Sequence, residues 1–306
     1  MNHCILQNFF VIIKETCPQT PPHGSTTFSK AKKMNQNAEQ FLSTEDFVLY
    51  VEEDADQAAA ESIADELQIN RIPKSSAGSL PARCLLMNAE GLSLVEGAHT
   101  LRGDFARFLP RLIPNNLNHE LLVRAARLRG AQGPLSAVDA TAGLGEDAFL
   151  LAAAGFQVWL YERNPVIAAL LQDALRRGMK NPELAPVLGR MHFHRGDSIV
   201  ELPRLDFAPD IVVLDPMFPD RKKSGLIRKK FQMLHQLENP CSEETELLTA
   251  AFSCHPRRIV IKRPLKGPCL AGQKPAYTLK GRAIRYDCIV PPQATGNKES
   301  TGHRDS

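Results

Sequence analysis

The chain has 306 residues, 43% of them hydrophobic and 23% charged, and its formal net charge is +3 at pH 7. This length and apolar content allow one large domain with a small one. The seven cysteines include no Cys-x-x-Cys pair and the nine histidines show no metal-ligand spacing, which argues against a disulfide framework and a structural zinc site. We therefore predict a cytoplasmic protein that binds no metal.

Composition divides the chain into four segments. The apolar residues 5–13 are too few to span a bilayer and lack a basic flank, so no membrane role is predicted. Residues 14–44 are rich in Pro, Gly, Ser, Thr, Asn and Lys, and Met34 is a candidate functional start. We predict a disordered or poorly packed extension, a small α+β domain, a large α/β domain and a flexible tail, at residues 1–44, 45–103, 104–292 and 293–306.

Hydrophobic patterning predicts the elements of the small domain and of the junction that follows it. Residues 47–51 are typical of a strand and residues 55–67 of a helix. Two apolar runs, 83–88 and 92–96, are joined in hairpin fashion. Leucine and alanine residues at helical spacing then predict one continuous helix over 117–129, which leads into the large domain.

The predicted sheet of the large domain begins with a strand, which a glycine turn and a helix follow. Asp139 ends a short apolar strand, Gly143 and Gly145 follow, and an alanine-rich helix comes next. Glycines suit such a turn because they reach positive φ freely and let a ligand lie against bare backbone. Only two glycines of the dinucleotide pattern G-x-G-x-x-G are present, since Ala148 takes the third position. A tight structural turn without a ligand remains an alternative.

Two further strands each end at a candidate nucleoside contact. The strand over 156–162 ends in Glu162, and an acid at that tip can accept both hydroxyls of a ribose, in NAD or in S-adenosylmethionine. The strand over 190–194 leads to Asp197, which could reach an adenine amino group.

The fourth strand, 211–214, carries the most informative turn, because Asp215, Pro216 and Phe218 follow it within four residues. This turn provides what methylation of an exocyclic amine on a nucleobase needs. The Asp side chain and a turn carbonyl accept the amine hydrogens, and the aromatic ring stacks on an extruded base. A plain proline turn is the structural alternative. Glycine turn, ribose acid and Asp-Pro turn follow in the order of a methyltransferase, whereas a nicotinamide oxidoreductase would not need the Asp-Pro turn.

The end of the large domain is predicted to add a fifth strand over 258–262 and a closing hairpin over 275–290 that brings an antiparallel strand into the sheet. Basic residues concentrate after the fourth and fifth strands. A solvated face is the ordinary explanation of such a run. Its place beside the proposed base pocket favours RNA phosphate binding by Arg221, Lys222, Lys223, Arg228, Lys229, Lys230, Lys262 and Arg263.

Four motifs, at 139–149, 162–166, 214–219 and 260–264, together resemble the ribosomal RNA small subunit methyltransferase J family. The resemblance extends over residues 47–292. It implies a class I methyltransferase that uses S-adenosylmethionine to methylate the N2 amine of a guanosine in 16S rRNA, with free 16S rRNA or the small ribosomal subunit as partner. The implied fold is α/β, with a mostly parallel Rossmann-like sheet, one antiparallel strand and a small N-terminal α+β domain.

The resemblance also predicts site residues. Asp215, Pro216 and Phe218 are expected to be catalytic. The predicted cofactor contacts, which include the two glycines of the turn, are Asp139, Gly143, Gly145, Glu146, Asp147, Glu162, Arg163, Asp197, Ser198 and Asp215.

Two departures from the family pattern leave alternatives open. Glu146 stands where a basic residue is common, so it is expected to make a backbone contact only, and segment 108–120 is less basic and less glycine-rich than in relatives. The alternatives are an amino methyltransferase for adenine N6 or a protein glutamine, and a non-catalytic RNA-binding or assembly factor.

Overall fold

The structure is a computed structural model that describes residues 44, 47–131, 133–216 and 243–292. The predictions for the N-terminal extension before residue 44, for Phe218, for the basic run 221–230 and for the C-terminal tail lie outside the described residues.

A five-stranded mixed sheet forms the N-terminal part. Its strand order is β2-β1-β3-β4-β5, with β1 parallel to both of its neighbours and the other pairs antiparallel. Helix α1 begins after Asp56, whose carboxylate accepts the Ala59 amide hydrogen at 3.1 Å. The predicted strand, helix and hairpin are confirmed. The bounds are Leu49–Val51 (β1), Gln57–Leu67 (α1), Arg71–Pro73 (β2), Arg83–Asn88 (β3), Gly91–Glu96 (β4) and His99–Leu101 (β5).

The single helix predicted over 117–129 is wrong. After a 3₁₀ segment, Ala106–Arg111, the chain forms two short helices, α2 (Pro114–His119) and α3 (Leu121–Ala126). Glu120 between them has extended backbone (φ −61°, ψ 127°), and its carboxylate accepts from Arg111 Nε at 2.6 Å. A tertiary ion pair thus stabilises a break that helical periodicity does not indicate.

A seven-stranded sheet forms the larger part, in the order β11-β12-β10-β9-β6-β7-β8. Strands β6 to β10 pair in parallel, and β12 is antiparallel to both of its neighbours. This arrangement confirms the predicted sheet. The strands are Ser136–Asp139 (β6), Gln157–Glu162 (β7), Met191–Arg195 (β8), Ile211–Leu214 (β9), Arg258–Pro264 (β10), Tyr277–Lys280 (β11) and Ile284–Ile289 (β12).

Helices cover both faces of this sheet. All four residues of β9 are fully buried, because alternate side chains enter different apolar clusters: Ile211 and Val213 pack with Phe149, while Val212 and Leu214 pack with Leu247. The covering helices are Glu146–Ala153 (α4), Pro165–Gly178 (α5), Ala185–Leu188 (α6), Ser198–Glu201 (α7) and Glu244–Ser253 (α8).

Helix α5 joins the two sheets. Its Asp173 has a fully buried side chain that accepts the Leu92 amide hydrogen of β4 at 2.9 Å and pairs with Arg176 and Arg177 of its own helix. Leu170 of the same helix lies in one apolar cluster with residues of the small sheet. The small sheet is therefore held against the helix that follows β7, close to the carboxyl ends of the parallel strands.

Candidate active site

The carboxyl ends of four parallel strands bring the predicted residues together. Asp139 ends β6, Glu162 ends β7, Asp215 follows β9, and Lys262 lies near the end of β10. Strand β9 lies between β6 and β10 in the sheet. The side chains of Asp139, Asp215 and Lys262 therefore converge on one point. Open α/β sheets bind their ligands at this edge.

The glycine turn after β6 is fixed by Glu162. Its carboxylate is 5% exposed and accepts the amide hydrogens of Gly143 at 2.9 Å and Asn164 at 2.8 Å. Gly143 and Gly145 have φ values of +54° and +75°, a region that favours glycine. A Cβ added at Gly145 would lie 2.8 Å from Leu171 Cδ1, whereas one added at Gly143 would meet nothing within 4 Å. Gly145 therefore serves packing, and Gly143 leaves open backbone beside the turn.

This difference predicts different effects for two matched alanine variants. Gly145→Ala is expected to lower the free energy of unfolding by about 3 kcal/mol, because it adds both overpacking and a left-handed alanine. Gly143→Ala should cost only about 1 kcal/mol for the backbone strain, but it should weaken binding of a ligand against the turn. Denaturant unfolding measures the first quantity, and the thermal shift with added ligand measures the second. Equal destabilisation by both, with ligand binding intact, would contradict this division of roles.

Three carboxylates surround one lysine at the strand ends, and we call Asp139, Asp147, Asp215 and Lys262 the carboxylate cluster. Lys262 Nζ lies 2.8 Å from Asp215 Oδ2 and 2.9 Å from Asp147 Oδ2. Burial lowers the pKa of Lys262, but the two carboxylates outweigh it and hold that pKa well above its ordinary range. Burial raises the pKa of Asp215, while the Lys262 ammonium opposes the rise. The lysine is therefore a fixed cation between two acids.

Asp139 is the most deeply buried acid of the cluster. It is 2% exposed, and burial together with the nearby Asp147 raises its pKa to about 7. The Thr141 amide, which donates to Asp139 Oδ1 at 3.2 Å, works in the opposite direction. Near neutral pH this carboxyl is thus divided between its protonated and ionised forms.

The raised pKa of Asp139 makes stability depend on pH. Between its ordinary value of 3.8 and about 7, the folded protein binds the proton that the unfolded chain releases, so stability falls as pH rises through this window. Asp139→Asn removes the titration and keeps an acceptor oxygen for Thr141. We expect the difference in unfolding free energy, variant minus wild type, to increase by about 2 to 3 kcal/mol between about pH 5 and 8. Urea titrations at several pH values measure it, and a constant difference would show that Asp139 stays ionised.

The remaining predicted cofactor residues form a second group at the neighbouring strand ends. Asp197 caps α7 by accepting the Ile199 amide hydrogen at 2.9 Å, and its other oxygen lies 3.6 Å from Arg163. Arg163 also pairs with Glu243 at 2.9 Å, and Ser198 is buried. These contacts hold Asp197 and Arg163 in place beside Glu162.

Glu146, at the start of α4, forms an ion pair with Arg107. Arg107 directly precedes the divergent segment 108–120, so this ion pair attaches the start of that segment to the helix after the glycine turn. Phe105 and Phe108 extend this contact through their rings, whose centroids lie 5.0 Å and 5.9 Å from that of Phe149 in α4.

Two residues predicted to bind RNA have other surroundings. Lys262 belongs to the carboxylate cluster. Arg263 is 1% exposed, and its guanidinium donates to Pro268 O at 2.8 Å and to Glu244 at 3.3 Å. The prediction that Arg263 binds RNA phosphate is wrong, because its guanidinium is buried against the loop after β10 and does not face a surface ligand.

Sequence patterns missed two residues of the site. Thr141 Oγ1 accepts the Asp215 amide hydrogen at 2.7 Å and so links the ends of β6 and β9. Tyr286 of β12 lies opposite Lys262 in the strand register and is 3% exposed, and burial followed by the nearby Asp147 raises its pKa. Thr141 could have been found from its place inside the glycine motif, but Tyr286 required the register of β12.

Within the described residues, no group of three or more His, Cys, Asp or Glu residues could hold a metal ion. None of the helices in the described part of the chain is long and apolar enough to cross a membrane.

Comparison with known proteins identifies the family. A family model described as a putative SAM-dependent methyltransferase matches residues 83–291. Ribosomal RNA small subunit methyltransferase J of Marinobacter nauticus is 40% identical over 69% of this chain and 78% of its own length. Its namesake from Thioalkalivibrio sulfidiphilus is 38% identical over 79% of this chain and 96% of its own. The chain belongs to the ribosomal RNA small subunit methyltransferase J family.

A solved structure agrees with this membership. The crystal structure of a SAM-dependent methyltransferase from Neisseria gonorrhoeae is 29% identical, covers 81% of this chain and 97% of its own, and superposes with a TM-score of 0.64. This methyltransferase J family member is thus an S-adenosylmethionine-dependent methyltransferase, and the predicted fold class and cofactor are confirmed.

The strand-end residues fit that cofactor. The open backbone at Gly143 leaves room for a ligand, and the carboxylate cluster, with three acids and one lysine, carries excess negative charge suited to a cationic sulfonium.

Proposed function

We propose that this protein methylates the exocyclic N2 amine of a guanosine in 16S rRNA, either free or in the small ribosomal subunit, in the cytoplasm. The observation that carries the proposal is the position of Asp215, which follows β9 beside the glycine turn with its carboxylate 2.8 Å from Lys262. The names of the relatives, which are ribosomal RNA small subunit methyltransferases, support the RNA substrate.

The cofactor is proposed to lie along the glycine turn. Glu162, whose carboxylate already orients Gly143, would accept the ribose hydroxyls, and Asp197 would accept the adenine amine. Arg163 and Ser198 would support Asp197. Further contacts are proposed at Asp139, Gly145, Glu146, Asp147 and Asp215.

The proposed chemistry is direct methyl transfer to the amine. When bound, S-adenosylmethionine supplies a methyl group made electrophilic by the sulfonium. Asp215 would accept one amine hydrogen and the Pro216 carbonyl a second, which orients the nitrogen lone pair for in-line attack. Phe218, outside the described residues, would stack on the base. Because the amine can lose its proton after the transfer, Asp215 acts chiefly by positioning and then accepts the proton or passes it to water.

Lys262 is proposed to position Asp215. Its ammonium opposes the rise that burial causes in the pKa of that carboxylate, and the second contact to Asp147 fixes the ammonium in place. Thr141 holds the backbone of the same residue at 2.7 Å. Charge and orientation of Asp215 thus depend on groups from two strand ends and from the first turn of α4.

The deciding experiment is transfer of labelled methyl from S-adenosylmethionine to small ribosomal subunits purified from a strain that lacks this gene, followed by nucleoside analysis. We expect N2-methylguanosine as the labelled product. Subunits from the parent strain serve as the control, because their site is already modified and should accept little label. Free 16S rRNA, assayed in parallel, identifies the preferred form of the substrate.

Other products would overturn parts of the proposal. Label in N6-methyladenosine or in protein would indicate a different amino acceptor. No transfer with cofactor binding intact would also reject this substrate, and absence of any thermal shift with S-adenosylmethionine would favour a non-catalytic RNA-binding factor.

A further inference from the structure

A second candidate site lies away from the carboxyl ends of the parallel strands, where β10 begins. It is a cavity of about 790 Å³ beside the first residues of β10 and β11 and the end of α3. We call it the arginine cavity. It is lined by Arg124, Arg127, Leu128, Arg129, Arg257, Arg258, Tyr277, Leu279 and Val290.

The charge of the arginine cavity is strongly positive. Five of its lining residues are arginines, and none of the described residues that line it is acidic. Arg257 is neutralised in part by Asp210, at 3.0 Å. Arg124 and Arg129 are exposed, and their side chains form no hydrogen bond or ion pair with another described residue. Two guanidinium groups are thus available for an anion, and guanidinium matches phosphate geometry well.

A buried donor in the same cavity is also unsatisfied. Arg258 donates through Nη1 to Ala125 O at 2.6 Å and Arg127 O at 3.0 Å. Its Nε is buried and has no hydrogen-bond partner among the described residues. Buried donors of this kind normally have a partner in the protein or in an ordered water or ion.

The cavity also offers a flat apolar surface. The Tyr277 side chain is 39% exposed, with the Arg258 guanidinium carbon 5.4 Å from its ring centroid, and Val290 is 50% exposed. An exposed aromatic ring next to arginines that have no side-chain partner among the described residues is suited to single-stranded nucleic acid. The ring stacks on a base, and the guanidinium groups bind the backbone phosphates.

Strand β10 connects this cavity to the methyl-transfer site, because Arg258 lines the cavity and Lys262 belongs to the carboxylate cluster. β11 runs from Tyr277 in the cavity to the exposed Lys280, and β10 runs in the same direction from Arg258 to Lys262. Four residues of strand span about 13 Å, a distance that two or three nucleotides of a single strand can cover. One RNA segment could therefore contact both the arginine cavity and the methyl-transfer site.

We propose that the arginine cavity is a second RNA-contact site, in which a base stacks on Tyr277 and the adjoining phosphates bind Arg124 and Arg129. The site adds affinity for the substrate without touching the reacting amine. This inference rests on the proposed function, since it takes RNA as the substrate.

The test compares RNA binding by cavity variants with that of a charge-matched control. Arg124→Ala combined with Arg129→Ala removes two cavity charges, and Arg71→Ala combined with Lys180→Ala removes two exposed charges elsewhere. The probe is a fluorescein-labelled single-stranded RNA read by anisotropy over a salt series. The cavity pair should weaken binding at least about tenfold and lower the slope of log K against log salt by about 1.4, for two lost phosphate contacts. The control pair should change both quantities much less.

Tyr277 provides an independent measurement. Tyr277→Ala should weaken RNA binding about tenfold through loss of stacking, and Tyr277→Phe should restore it, because the ring is kept. In methyl transfer to small subunits, the cavity variants should raise KM for RNA while kcat at saturating RNA stays near that of the wild type.

The outcomes separate this inference from the proposed function. If the wild type neither binds RNA nor methylates subunits, the proposed function fails. If the wild type does both and the cavity variants behave like the control pair, the arginine cavity is not an RNA site and the proposed function stands. A variant that shows altered thermal unfolding is replaced by Arg124→Gln with Arg129→Gln, which removes the charge and keeps most of the side chain.

Discussion

Asp215→Ala is expected to lower kcat for methyl transfer by about a hundredfold to ten-thousandfold, the range seen when a positioned proton acceptor or electrostatic group is removed. The variant loses the acceptor for the amine hydrogens and leaves Lys262 paired with Asp147 alone. Folding should be largely retained, because the backbone contact from the Asp215 amide to Thr141 does not involve the carboxylate. The measurement is single-turnover methyl transfer at saturating cofactor and subunits.

Two further variants sharpen this result. Asp215→Asn keeps one acceptor oxygen and should retain more activity than Asp215→Ala, which separates orientation from charge. Asp206→Ala removes an exposed carboxylate just before β9 and should leave kcat unchanged. If Asp215→Ala kept most of the wild-type rate with saturating cofactor, the catalytic assignment would be wrong.

Lys262→Met is expected to change both the stability of the fold and the pH dependence of methyl transfer. It leaves the carboxylates of Asp147 and Asp215 without their shared cation. Breaking a fully buried pair costs about 3 to 5 kcal/mol. The side chains of Lys262, Asp147 and Asp215 are 24%, 18% and 35% exposed, so solvent screening should reduce this cost to about 2 kcal/mol near pH 8. Denaturant unfolding measures the loss.

The direction of the pH effect follows from the same pair. Without the ammonium, burial raises the pKa of Asp215 further, so the variant takes up protons on folding and its deficit in stability is larger near pH 8 than near pH 5. The acid limb of kcat/KM should move to higher pH. Lys262→Arg keeps the charge and should preserve most of the profile. If Lys262→Met raised only the KM for RNA and left the pH profile unchanged, Lys262 would instead contact RNA phosphate.

Local sequence was sufficient for the elements that carry the chemistry. The strand ending at Asp139, the glycine turn and the strand ending at Glu162 are each defined by residues close together in the chain, and the structure confirms their types. The same holds for the strand before Asp215, a continuous apolar run followed at once by an acid and a proline. Such patterns can be recognised because burial and backbone preference both act over a few residues.

Local sequence was not sufficient where a distant partner decides the outcome. Periodicity predicts a single helix over 117–129, but the pairing of Glu120 with Arg111 accompanies a break in it. Basic composition suggested that Arg263 faces RNA, whereas its guanidinium is buried against Pro268 and Glu244. A positive charge in a sequence does not reveal whether solvent or a carboxylate surrounds it.

The sequence by itself therefore determined the fold class, the order of the candidate site residues and the turn at Asp215, because each depends on a short run of chain. Only the tertiary structure decided which charges meet. Lys262 lies 115 residues from Asp147 in the chain, and Arg258 lies 133 residues from the carbonyl of Ala125 that it binds. Those contacts follow from the order of β10, β9 and β6 in the sheet and from the packing of α3 against it. Strand order depends on the burial of the whole core, which no local pattern specifies.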